Sequence, residues 1–149
     1  MKYLVIGLGN FGSTLAQTLT DNGHEVIGID HDSHKVELIK DRIAFAYIMD
    51  ATEPLALRSL PLTDMDSVIV AIGQNDNHPD DYMSGDYNHP KAVNWRSHYK
   101  AFIEKLRSIY PKAHIILSTT ILNHHKNWDD SIHQVWQELG DEKIHHFLY

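Results

Sequence analysis

Apolar residues fall along this chain in two kinds of run. Five are short and nearly continuous: KYLVI (2–6), EVIGI (25–29), AFAYI (44–48), SVIVAI (67–72) and HIILS (114–118). Such runs read as strands of a parallel sheet whose two faces are both covered by helices. A sixth, more polar run at 143–148 reads as an edge strand. Between them lie stretches of helical spacing. Phe11, Leu15 and Leu19 recur every fourth residue and stop at Asn22-Gly23. Asp32 caps a helix carrying Val36 and Ile39, and Thr52-Glu53-Pro54 has the cap, first-turn acid and early proline of another helix start. Trp95, Tyr99, Phe102, Ile103 and Leu106 share one face of a helix over 91–110, closed by Pro111. A last helix is expected to open at Asp129 or Asp130 and end at Gly140. Strand–helix alternation of this kind predicts one α/β domain over 1–149: a three-layer, doubly wound, mostly parallel, Rossmann-like sheet of strand order 3-2-1-4-5-6.

Composition narrows the function classes. With 149 residues the chain is long enough for a single core. It has no cysteine, so disulfides, thiolate metal sites and a cysteine nucleophile are excluded. No run of about 18 apolar residues is present, so no membrane insertion is expected. The start MKYLVIGLGNFG lacks the pattern of a signal peptide, and a cytoplasmic setting is expected. Thirteen Lys and Arg against 20 Asp and Glu give a net charge of −7, which argues against a nucleic-acid partner.

The first chemistry-bearing motif is Gly7-Leu8-Gly9-Asn10-Phe11-Gly12, a G-x-G-x-x-G that directly follows a strand and opens a helix. Gly7 permits the tight turn, Gly9 lets backbone approach a phosphate, and Gly12 lets helix pack on strand. Helix-start N–H groups would then hold the anion. Asp30 ends the second strand 18 positions after Gly12, where an acid binds ribose hydroxyls and disfavours a 2′-phosphate. NAD(H) or an adenine nucleotide (ATP, ADP or AMP) is therefore the expected ligand, ahead of NADP(H).

Residues 1 to about 75 resemble the RCK domain, also called TrkA-N or KTN, which regulates bacterial potassium channels and transporters. The resemblance rests on the glycine turn, Asp30, the Asp50-Ala51-Thr52-Glu53 segment and the spacing to SVIVAIG. It implies that Gly7, Gly9, Asn10, Phe11 and Gly12 line the phosphates, that Asp30 binds ribose with His31 beside it, and that Asp50, Ala51 and Thr52 flank adenine. Ala71, Ile72 and Gly73 would border the crevice. It also implies a potassium transporter as partner and homodimer formation. Many family members carry Arg where this chain has Asn10, which brings a hydrogen bond but no charge to a phosphate.

From about residue 67 onward the sequence resembles SGNH (GDSL-type) hydrolases, especially carbohydrate acetyl-esterases. Gly73-Gln74-Asn75-Asp76 is similar to their G-x-N-D block, and the helix ending IYP with its following strand continues the likeness. The chain thus reads as a chimera of an RCK-like half (1–73) and an SGNH-like half (74–149), joined within 67–75 by recombination or design. The esterase alternative would use Asn75 and the pair in Asp130-Ser131-Ile132-His133. It lacks a Ser in the turn after the first strand, since Ser13 falls inside a helix, so no catalytic residue is assigned.

Twelve histidines suggest metal binding, but no helical His pair with a partner Glu is present, and adjacent His such as His145-His146 point to opposite faces of a strand. No metal ligand is assigned. Asp80, Asp81 and Asp86 lack calcium-loop spacing. A non-catalytic nucleotide-binding module is the function expected; the alternatives are the esterase remnant and a folded protein with neither activity, its crevice obstructed by the loop after the fourth strand.

Overall fold

The computed structural model of this chain describes residues 1–53, 55–60, 64–71, 82–118 and 125–147. The chain runs β1 (Lys2–Ile6), α1 (Asn10–Asp21), β2 (Glu25–Asp30), α2 (Ser33–Ile39), β3 (Phe45–Ile48), β4 (Ser67–Val70), α3 (Pro90–Ile109), β5 (His114–Ser118), α4 (Lys126–Leu139) and β6 (Ile144–Phe147). The strands form one six-stranded sheet in the order β3-β2-β1-β4-β5-β6. All five pairings are parallel, so the sheet has no antiparallel strand among the described residues.

Alternation along each strand explains why the runs are continuously apolar. Val5, Val26 and Ile69 face α1 and α2, where they meet Ala16, Val36 and Ile39. Leu4, Ile27, Val68 and Ile115 face the opposite layer and pack against Tyr99, Ile103 and Leu106 of α3 and Ile132 and Val135 of α4. Two buried faces leave no polar side to the central strands. A smaller cluster holds Trp128, which is 4% exposed, with Met83 and Ala92. Trp95 stacks on Tyr99 at 4.7 Å and meets Trp128 edge-on, so these aromatic rings are packing elements.

Two helix expectations need correction. Among the described residues of the segment opened by Thr52, one 3-10 turn forms, at Leu57–Ser59. Asp50 Oδ1 accepts both the N–H and the hydroxyl of Thr52, and Glu53 N–H donates to Asp50 O, so the chain turns where a helix was expected to begin. The last helix starts at Lys126, before Asp129 and Asp130, because His125 Nδ1 accepts the Asn127 N–H as the cap. Asp129 then occupies the first turn, where an acid suits the helix dipole. Asp130 pairs with Lys126 one turn back. Other limits follow the expected signals: Asn22 and Gly23, at φ +82°, close α1, and Pro90 sits at the first position of α3. Gly73 and Asn75, together with Pro54, Ile72, Gln74, Asp76, His78, Asp80, Asp81 and His124, lie outside the described residues.

The end of α3 is tied to the β6 side by Arg107. Its Nε donates to Asp141 Oδ2 at 2.6 Å, and Nη1 donates to the carbonyls of Tyr110 and Ala113. Burial pushes the Asp141 carboxyl up, but the Lys143 N–H and the Arg107 guanidinium outweigh it and hold it below its ordinary value. An Arg107→Ala variant is expected to lose about 2 kcal/mol in urea unfolding, since three acceptors lose a charged donor. A depressed carboxylate stabilises the fold above its unfolded pKa and loses that contribution as pH falls through its folded value. The difference between variant and parent should therefore shrink as pH drops below 3.8, the ordinary value of the Asp141 carboxyl.

Candidate functional site

The chain leaves β1 toward β2 on one side and returns to β4 on the other, because β1 pairs with both. In open α/β sheets ligands bind at such a reversal, in a crevice at the carboxyl ends of the strands. Its floor is the glycine turn between β1 and α1. Gly7 has φ +95°, a conformation that strains any residue with a Cβ, and its N–H donates to Ile29 O at 2.9 Å. Leu8 N–H donates to Asp30 Oδ2 at 2.8 Å. The turn is thus fixed to the end of β2 by backbone and by carboxylate together.

Gly12 is where helix meets turn. An ideal Cβ there would lie 1.8 Å from the Gly7 carbonyl oxygen and 3.4 Å from Ala71 Cβ. This contact brings α1 against both sides of the crevice, since Ala71 follows β4 and its N–H donates to Ile6 O.

The start of α1 differs from the other helices. Asp32 caps α2, His89 caps α3 and His125 caps α4, each through a side chain. At α1 the cap is Gly9, in extended conformation, with no side-chain cap bond and no acid in the first turn. The first intrahelical bond runs from Ser13 N–H to Gly9 O. A helix leaves the N–H groups ahead of that bond without intrahelical acceptors, and its dipole makes the end electropositive. Asn10 is exposed at this opening and Phe11 half-buried.

Asp30 is 7% exposed. Besides the Leu8 bond, its Oδ1 accepts Asp32 N–H at 2.9 Å. Two nitrogens flank it: His31 Nδ1 at 3.4 Å from Oδ1 and the Lys35 ammonium at 3.9 Å from Oδ2. Each carboxylate oxygen has a second acceptor position, so the side chain can hold the turn and still accept from a sugar hydroxyl.

Met49 N–H donates to Asp30 O, which brings the segment after β3 beside the acid. There the Asp50 carboxyl is held below its ordinary value by the Thr52 hydroxyl first, then the Thr52 N–H, with burial opposing and His31 adding a smaller pull. Ala51 packs against the α3 side of the core, and Thr52 O accepts from Lys105 Nζ. Gly7, Leu8, Gly12, Asp30 and Ala71 are in direct contact, whereas Asp50, Ala51 and Thr52 join them through Met49. Gly73 lies outside the described residues.

Three supporting residues escaped the sequence reading. Lys35 reaches Asp30 from α2, and Lys105 reaches Thr52 from α3. Gly28 makes room for Leu8: a Cβ at Gly28 would lie 2.9 Å from Leu8 Cδ2 and 2.9 Å from Ile43 Cδ1. Its signal is a glycine inside a strand, which marks close approach.

Of the esterase candidates, Asn75 lies outside the described residues, and the described ones have other partners. Ser13 Oγ donates to Gly9 O within α1, Asp130 is engaged by Lys126, and His133 contacts Trp136 and His146. Among the described residues no group of three or more His, Cys, Asp or Glu could hold a metal ion.

The sheet order and the glycine turn define a Rossmann-like α/β fold. The chain belongs to the TrkA-N domain family, whose profile matches residues 3–119. That match passes through 67–75. Ktr system potassium uptake protein C of Bacillus subtilis is 40% identical over 74 residues, covering 50% of this chain and 34% of that protein. The chain thus spans about a third of the length of this curated relative. The TrkA-N domain of inner membrane protein ybaL from Escherichia coli superposes with a TM-score of 0.64 at 16% identity, over 97% of this chain and 85% of that one. The NAD(P)-binding domain of an exopolyphosphatase-related protein from Archaeoglobus fulgidus gives 0.56 at 22% identity, over 94% and 95%. Among the described residues no helix is long and apolar enough to cross a membrane.

Proposed function

We propose that this chain is a non-catalytic module that binds NAD(H) or an adenine nucleotide across the glycine turn and regulates a potassium transporter. The observation that carries the reading is the start of α1, built on Gly9 without a side-chain cap and set beside the Asp30 carboxylate. The ligand's phosphates lie on the first-turn amides, its ribose meets Asp30, and its adenine lies toward Asp50, Ala51 and Thr52. The potassium partner is supported by the Ktr relative, which is itself a potassium uptake protein. The module acts on the cytoplasmic side, as a homodimer.

The second half of the reading is that residues from about 74 onward derive from the SGNH family without its activity. It rests on the sequence likeness there alone, and the TrkA-N profile extends through the join to residue 119. Among the described residues of that half, Asp130 pairs with Lys126 and His133 contacts Trp136 and His146.

Calorimetry with NADH, NADPH, ATP, ADP and AMP tests the binding claim. NADH is expected to bind, and NADPH roughly tenfold more weakly, because Asp30 repels a 2′-phosphate. ATP is expected to gain nothing from its third phosphate, since Asn10 supplies no charge. Heat of binding absent for all five at millimolar concentration would end the proposal.

A further inference from the structure

Two adjacent histidines of β6 each meet a histidine of a neighbouring element, on opposite faces of the sheet. His145 Nε2 lies 2.8 Å from His114 Nδ1 on β5, with the rings stacked at 5.1 Å between centroids. His146 turns to the other face, where its ring lies 5.7 Å from that of His133 on α4. Both ring nitrogens of His146 are buried and have no hydrogen-bond partner among the described residues. Among the described residues β6 is the last strand of the sheet, paired with β5 on one side.

We propose that these four histidines form an acid-opened clasp, whose protonation frees residues 145–147 from β5 while Ile144 remains the pivot. The chemistry differs on the two faces but has the same sign. A bond between two imidazoles needs one neutral nitrogen as acceptor; once both rings carry a second proton, every nitrogen is a donor and the charges repel. On the α4 face a proton on His146 finds no acceptor and confronts His133. Burial, then the His133 charge, depresses the His146 pKa below its ordinary 6.5, with Asp129 opposing.

The direction of the pH effect follows from that depression. Below about 6.5 the released strand binds protons that the docked strand refuses, so docking is fully stable above that pH and weakens as pH falls toward the folded value. The groups facing the clasp are His133 and Asp129 from α4 and His114 from β5. Asp141 is held by Arg107, and Lys143 Nζ by the Lys112 carbonyl. Ile144 stays in place because it is 3% exposed and its carbonyl accepts the Trp136 Nε1–H at 2.7 Å. Phe147, 56% exposed, adds little hold beyond the clasp.

Amide hydrogen exchange on the full chain at about pH 7.5 and about pH 5, corrected for intrinsic rates, tests this. Protection at 145–147 is expected to fall roughly tenfold relative to β1 in acid, the change that one pKa unit represents. A His145→Gln/His146→Leu variant should keep that ratio constant. An unchanged ratio in the parent protein, or the same acid loss in the variant, would overturn the proposal. Should the variant fail to fold, an imidazole NMR titration of the parent decides. Opening of β6 must track the His146 protonation curve, and opening that follows a different curve refutes the clasp.

Discussion

A Gly12→Ala variant will bind no nucleotide detectable by calorimetry and will melt roughly 10 °C below the parent, an effect of about 3 kcal/mol for a domain of this size. The added methyl group would sit 1.8 Å from the Gly7 carbonyl oxygen, and that obstacle is backbone, which no rotamer change can move aside. Alanine's better helix propensity returns only about 1 kcal/mol. To relieve the clash α1 must back away from the turn. That withdraws the first-turn amides from the crevice and breaks the contact with Ala71, so affinity and stability fall together. A Gly23→Ala control, at φ +82° but with open space around it, should cost about 1 kcal/mol and leave binding intact.

An Asp30→Asn variant is expected to lose roughly tenfold in NADH affinity, most of its preference over NADPH, and about 2 kcal/mol of stability. The carboxylate accepts from Leu8 N–H with one oxygen and from Asp32 N–H with the other. An amide keeps one acceptor and turns a donor toward the remaining N–H, in a site that is 7% exposed. Loss of the anion also removes the charge that rejects a 2′-phosphate, while Lys35 stays in place to attract one. Calorimetry with both dinucleotides, paired with urea unfolding, separates the two effects. His31→Ala, whose side chain is 79% exposed, should change neither by more than about 0.5 kcal/mol.

Much of this site was legible because its chemistry is local. Gly7, Gly9 and Gly12 lie within one turn, and Asp30 ends the very next strand, so spacing alone places them together. The sheet was legible for a different reason: strands buried on both faces leave unbroken apolar runs. The departures lie where a residue acts outside its usual preference. Thr52 looks like a helix cap, yet Asp50 captures its N–H and hydroxyl first. His125 caps α4 although histidine is not among the favoured capping residues, which shifted the helix start away from Asp129 and Asp130. Lys35, Lys105 and Gly28 support the site through contacts made only when separate elements pack, and no local pattern announces them.

The central claim concerns where phosphate oxygens rest. Backbone amide NMR during titration with NADH addresses it without any substitution. The largest shifts should fall on Gly9 through Ser13, with smaller ones at Leu8, His31 and Ala71. Shifts that leave the opening of α1 untouched while NADH binds elsewhere, or no shift at millimolar NADH, would contradict the account.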